Sequence, residues 1–123
     1  MEKICLDYYA ALDFLRGEPT AVEKLNYYMN NDEICISALT LAHLLYTIKK
    51  QDVIISFANS ITVLPIDRKV AIVSSKIRNE LAENNIEISQ EALINAAVCI
   101  VNDAFLFTRK AAEYEKIKGL KKV

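Results

Sequence analysis

The chain has 123 residues, 53% of them hydrophobic, with only two Gly and two Pro. That is enough to bury one core, and it excludes a disordered or loop-rich chain. The net charge of −1 supplies no global basic field, so a polyanion would have to be held by a local patch or by metal ions.

No run approaches the roughly 18 apolar residues of a membrane span. The opening Met-Glu-Lys lacks the basic start and long apolar run of a signal peptide, so a cytoplasmic protein without membrane contact is expected. Cys5, Cys35 and Cys99 are odd in number, widely spaced and set in apolar runs. They read as buried free thiols packing as small hydrophobes.

In chain order, KICL at 3–6 reads as a strand, and Tyr9 to Leu15 as a short helix ending near Gly17. A second helix is predicted from Pro19-Thr20, with Thr20 and Glu23 resembling a capping box. ICI at 34–36 reads as the next strand. Thr40 to Lys49 then places Leu41, Leu44, Leu45 and Ile48 on one helical stripe, and Val53 to Ala58 continues as a short helix. ITVL at 61–64 is a third strand. Asp67 caps a long helix with the stripe Val70, Val73, Ile77 and Leu81, stopping at Asn84-Asn85. Ser89 caps a helix apolar almost all round, running to about Asn102-Asp103. FLFT at 105–108 is a fourth strand, 111–116 a short helix, and 120–123 a weak last strand.

The strands are apolar at nearly every position, the mark of burial on both faces. Alternation with helices predicts one α/β domain over 1–123. It would be a three-layer α/β/α arrangement around a central parallel sheet of four to five strands, with right-handed crossovers. Ligands in such sheets bind outside the carboxyl ends of the strands. Asp7 follows the first strand there, His43 lies in the opening turn of the helix after the second, Glu91 in the first turn of its helix, and Glu113 beyond the fourth strand. Carboxylates gathered at one rim repel unless a divalent cation neutralises them, and hard oxygen donors select Mg²⁺ or Mn²⁺. Each also has a plainer reading: Glu91 as a complement to the helix dipole, Glu113 as a solvated partner of Lys110 or Lys116, and His43 as a surface residue.

ICLDYYAALDFLRGEP resembles the opening of the VapC-type PIN-domain toxins, which run hydrophobic strand, Asp, small polar residue, then a helix ending in Leu-Arg-Gly. ISALTLAHLLY is similar to their second motif, VLPID to their third strand and helix cap, and EALINAA to Asp-x-Leu-Ile-Ala-Ala. FLFTRKAAEYEKIKGLKKV is similar to Leu-Val-Thr-Arg-Asn-x-x-Asp-Phe. The resemblance spans essentially the whole chain. It implies a PIN-like fold and a metal-dependent toxin–antitoxin endoribonuclease, usually dimeric and restrained by a small antitoxin. Asp7, Glu91 and Glu113 would be metal ligands and, with His43, catalytic residues, and Thr108 would line the substrate site. Read from the residues alone, Arg16, Arg109 and Lys110 are candidates to meet RNA phosphates, with plain solvated charge as the commoner reading. Tyr27, Tyr28 and Met29 would serve a dimer or antitoxin surface, or the core.

The departures from the family pattern fall in the site. Tyr8 stands for a small hydroxyl residue, His43 for Glu, Glu91 and Glu113 for Asp, and Lys110 for Asn. A nitrogen donor suits Mn²⁺ better than Mg²⁺, and the longer acids can shift the ion. An active nuclease and an impaired homologue serving as an RNA- or protein-binding module both follow from these residues. A nucleotide-binding doubly wound protein does not, for want of a glycine-rich phosphate loop.

Overall fold

The computed structural model describes all 123 residues. Five strands run parallel: β1 (Lys3–Leu6), β2 (Glu33–Ser37), β3 (Thr62–Leu64), β4 (Phe105–Phe107) and β5 (Lys121–Lys122). Their order across the sheet is β3-β2-β1-β4-β5. Six helices connect them: α1 (Tyr8–Leu15), α2 (Pro19–Asn31), α3 (Ala38–Thr47), α4 (Gln51–Asn59), α5 (Arg68–Glu83) and α6 (Gln90–Val101). A 3-10 turn, Ala111–Tyr114, stands where the sequence suggested a short helix.

The strand period of two divides the core. Ile4, Leu6, Ile34 and Ile36 pack on one face with Leu12 of α1, Leu25 of α2, Leu44 of α3 and Ile54 of α4. Cys5, Cys35 and Leu106 face the other way, against Val70, Ile77 and Leu81 of α5 and the small-residue face of α6. The three thiols are free and buried, as expected. Burying Ile4, Leu6 and Ile36 contributes roughly 1.5–3 kcal/mol each, and truncating any one to Ala would cost about 2–5 kcal/mol.

Three helices stop in the same way. Gly17, Asn85 and Asp103 adopt positive φ at the ends of α1, α5 and α6. The next residue's N–H then reaches back to the carbonyl five positions earlier: Glu18 to Asp13, Ile86 to Leu81 and Ala104 to Cys99. This double-bonded stop satisfies carbonyls the helix itself leaves free.

Two local expectations are corrected. Helix α2 is capped by Glu18, whose oxygens accept from Thr20 N at 3.1 Å and Ala21 N at 2.7 Å, so Thr20 and Glu23 form no capping box. Pro19 has no N–H, which makes these the first free donors, and a glutamate one residue upstream reaches both. Helix α3 begins at Ala38 under the cap of Ser37, two residues earlier than predicted. His43 therefore lies in its second turn. Of the predicted stripe only Leu44 is fully buried; Leu41, Leu45 and Ile48 are half-buried against the same core.

Candidate functional site

From β1 the chain steps outward to β2 and β3, then returns to the opposite side of β1 for β4. That reversal leaves a crevice at the carboxyl ends of β1 and β4. Asp7 fills it. As the N-cap of α1, its Oδ1 accepts from Ala10 N at 2.9 Å, and its Oδ2 accepts from the Thr108 hydroxyl at 2.5 Å. Its own N–H donates to the Phe107 carbonyl. Asp7 is only 2% exposed, and no cation pairs with it. Burial pushes its carboxyl above the ordinary range; the Thr108 and Ala10 hydrogen bonds pull down, and nearby Glu113 pushes up.

Beside Asp7 opens a cleft of about 340 Å³, lined by His43, Glu91, Asn95, Lys110 and Glu113 among others. The four residues expected to meet at the rim therefore share one cavity. Their engagements differ from the expectation. His43 Nδ1 lies 2.7 and 2.9 Å from the two oxygens of Glu91. Its ring stacks on Tyr8, with centroids 3.5 Å apart and planes 7° from parallel. The Tyr8 hydroxyl donates to Thr47 Oγ1 at 2.9 Å, and Thr47 in turn donates to the His43 carbonyl. Tyr8 thus fixes the imidazole plane, and the two departures at positions 8 and 43 pack as a unit. Glu113, exposed on the 3-10 turn, accepts from Ser89 Oγ at 2.8 Å; that hydroxyl also caps α6 through Ala92 N.

The basic residues separate. Lys110 lines the cleft with its Nζ 3.8 Å from the centroid of the Tyr9 ring. Arg109 Nε binds Asp13 at 2.8 Å in an exposed ion pair. Arg16 is exposed at the far end of α1, and neither it nor Arg109 lines the cleft. Thr108 reaches the site by holding Asp7, and its oxygen also accepts from Lys110 N. Tyr27 and Met29 are exposed at 65% and 43%, whereas Tyr28 packs edge-on against Phe107.

Sequence reading passed over Asn95. It lies 1% exposed on α6, with Oδ1 accepting from Ser37 Oγ at 2.6 Å and Thr40 Oγ1 at 3.4 Å. Its Nδ2 is buried without a hydrogen-bond partner. A lone amide inside the run LINAAVCIV was the available signal.

The carboxylate oxygens are the right donors for a hard divalent ion. In this arrangement, however, no three His, Cys, Asp or Glu side chains converge as a ligand set. Asp7 is held in place; Glu91 and Glu113 would have to exchange His43 and Ser89 for the ion.

Fold and cleft define a PIN-like α/β/α domain with an acidic site at its topological switch. No family model matches the chain. It is 27% identical to the tRNA(fMet)-specific endonuclease VapC of Shigella flexneri, over 98% of this chain and 96% of that protein. Among solved structures it is similar to DNA-bound VapBC from Salmonella typhimurium, with a TM-score of 0.89 and 25% identity over 100% and 98% of the two chains. It also resembles VapBC2 from Rickettsia felis bound to a promoter DNA fragment, with a TM-score of 0.88 and 22% identity over 98% and 97%. The chain is thus VapC-like along its whole length, in sequence and in fold, as its motifs indicated.

Proposed function

We propose that this chain is the ribonuclease of a toxin–antitoxin pair and cuts RNA phosphodiester bonds at the Asp7 cleft. The observation that carries the reading is Asp7 itself. A buried, unpaired carboxylate, held by two hydrogen bonds at the switch point, is costly for stability alone and suited to binding a cation or orienting water. The relatives' names support the class of reaction, and the tRNA(fMet) specificity of the Shigella protein makes a structured RNA the first substrate to try.

Asp7, Glu91 and Glu113 would hold Mg²⁺ or Mn²⁺, which when bound lowers the pKa of water and offsets charge on the phosphodiester. Thr108 keeps Asp7 oriented. Lys110, freed from Tyr9, would meet a phosphate oxygen. A small antitoxin and a second copy of the chain are the proposed protein partners, in keeping with the VapBC assemblies it resembles.

Purified protein should cleave a tRNA transcript with Mn²⁺ or Mg²⁺ and stop with EDTA or in Asp7→Ala. Equal background cleavage by parent and variant under every metal would overturn the proposal.

A further inference from the structure

A second cleft, of about 430 Å³, opens beside Thr108, and the catalytic reading above makes no use of it. One wall is α2. Thr20, Glu23, Lys24, Tyr27 and Tyr28 line it, at spacings of i, i+3, i+4, i+7 and i+8 that make a single helical face. The other wall is Phe107 at the end of β4, with Thr108 just beyond it. This cleft too therefore opens at the carboxyl end of a parallel sheet, where such sheets receive ligands.

Its apolar part is a train of rings. Tyr27 meets Tyr28 edge to face, with centroids 5.3 Å apart and planes at 77°. Tyr28 meets Phe107 in the same manner, at 5.7 Å and 88°. Tyr28 and Phe107 pack against the core beneath α2, whereas Tyr27 is 65% exposed. An edge-to-face contact occupies at most one face of a ring, so Tyr27, braced by Tyr28, keeps a face for a partner. Glu23 and Lys24 stand in no ion pair, which leaves an acceptor and a donor at the rim of an aromatic slot.

What stands next to the slot indicates its occupant. Thr108, which lines it, donates its hydroxyl to Asp7, so one residue separates the slot from the proposed point of cleavage. The next two residues are cations, Arg109 and Lys110, lying 5.0 and 3.8 Å from the centroid of the Tyr9 ring. Positive charge beside both clefts suits a phosphate backbone. Resting on the ribonuclease reading, we propose that this second cleft is a nucleobase subsite. It takes the unpaired base of a nucleotide next to the scissile phosphodiester, stacked on Tyr27, with Glu23 and Lys24 meeting its hydrogen-bonding edge. A helical peptide suits the face less well. Beyond the tyrosines, α2 offers it Lys24, Glu23 and Thr20, where an amphipathic helix needs apolar anchors over successive turns.

The test uses Tyr27→Ala and Tyr27→Phe in the full chain; the side chain is exposed, so neither opens the core. Binding of a fluorescein-labelled tRNA transcript is measured in an Asp7→Asn background so that nothing is cut. It should weaken about tenfold in Tyr27→Ala, the worth of one stacked base, and stay near the parent's in Tyr27→Phe. The parent's cut is then mapped, and transcripts are made with an abasic nucleotide on one side of it or the other. One of the two should bind the parent about tenfold more weakly and lose nothing further to Tyr27→Ala, because ring and base act as one pair. Two results would overturn this inference alone: Tyr27→Ala binding the intact transcript like the parent, or losing as much on both abasic transcripts as on the intact one. A Tyr27→Ala chain that changes only its sedimentation, with RNA binding unaltered, would give the face to a second copy and overturn it likewise. A parent that cuts no RNA would remove the ribonuclease reading and this inference with it.

Discussion

His43 and Glu91, 48 positions apart in sequence, are joined by a hydrogen bond at the cleft, with Nδ1 2.7 Å from Oε1. Because a carboxylate only accepts, Nδ1 carries the proton in this bond. Any divalent ion that recruits Glu91 must first displace that bond. His43→Ala, by freeing the carboxylate, should tighten Mn²⁺ binding by about tenfold, the worth of one hydrogen bond to a charged group. Calorimetric titration reads this directly. Unchanged or weaker binding in His43→Ala would show that the pair does not compete with the ion.

Asp7 offers a stability measurement with a definite sign. Its folded carboxyl is raised above the unfolded value, chiefly by burial. The folded chain therefore takes up a proton more readily than the unfolded one. The burden of the ionised form is fully present at neutral pH and is relieved as pH falls through the raised value. Asp7→Asn should melt a few degrees higher at pH 7, the scale of roughly 1 kcal/mol in a domain of this size, and this advantage should shrink toward pH 4. A variant less stable than the parent at pH 7 would contradict the assignment.

Thr108 donates to Asp7 and accepts from Lys110 N. Thr108→Val loses both bonds, at a cost of about 1–3 kcal/mol. Since the hydroxyl pulls the Asp7 carboxyl down, its removal should move that group's titration further up. A carbon-detected NMR titration of Asp7 in parent and variant would reveal the change; an unmoved midpoint would deny the coupling.

Glu18 is held below the usual carboxylate range, first by Ala21 N–H and then by Thr20 N–H. A depressed folded value means the stabilisation is present above the unfolded value and is lost as pH falls through the folded one. Glu18→Ala should lower the melting temperature at pH 7, with the difference from the parent closing below about pH 4. A gap that persists undiminished in acid would point to packing instead of capping.

Much of the architecture was written in local pattern. KICL, ICI, ITVL and FLFT are apolar at almost every position because each strand is covered on both sides, and Asp67 and Ser89 announce their helices as caps. The position of Asp7 after a buried strand pointed to the cleft that the fold forms there. What escaped were relationships with no local signature. The Tyr8 stack on His43, the grip of Glu91 on the imidazole and the unserved amide of Asn95 all join segments brought together only by the fold. Glu18 was missed for a different reason. Short side chains are the usual caps, and the proline after it shifted the first free donors to where a longer acid reaches them.

One of the two edge strands, β5, is two residues long, and both are lysines. Lys121 is tethered inward by Asp103 at 2.7 Å and lies over the Phe105 ring, while Lys122 is exposed. A stranger's backbone seeking to extend the sheet would find little ladder to zip onto and an ammonium group at the doorway. Edge-to-edge pairing through β5 should therefore be disfavoured, even though four parallel strands lie just inside it.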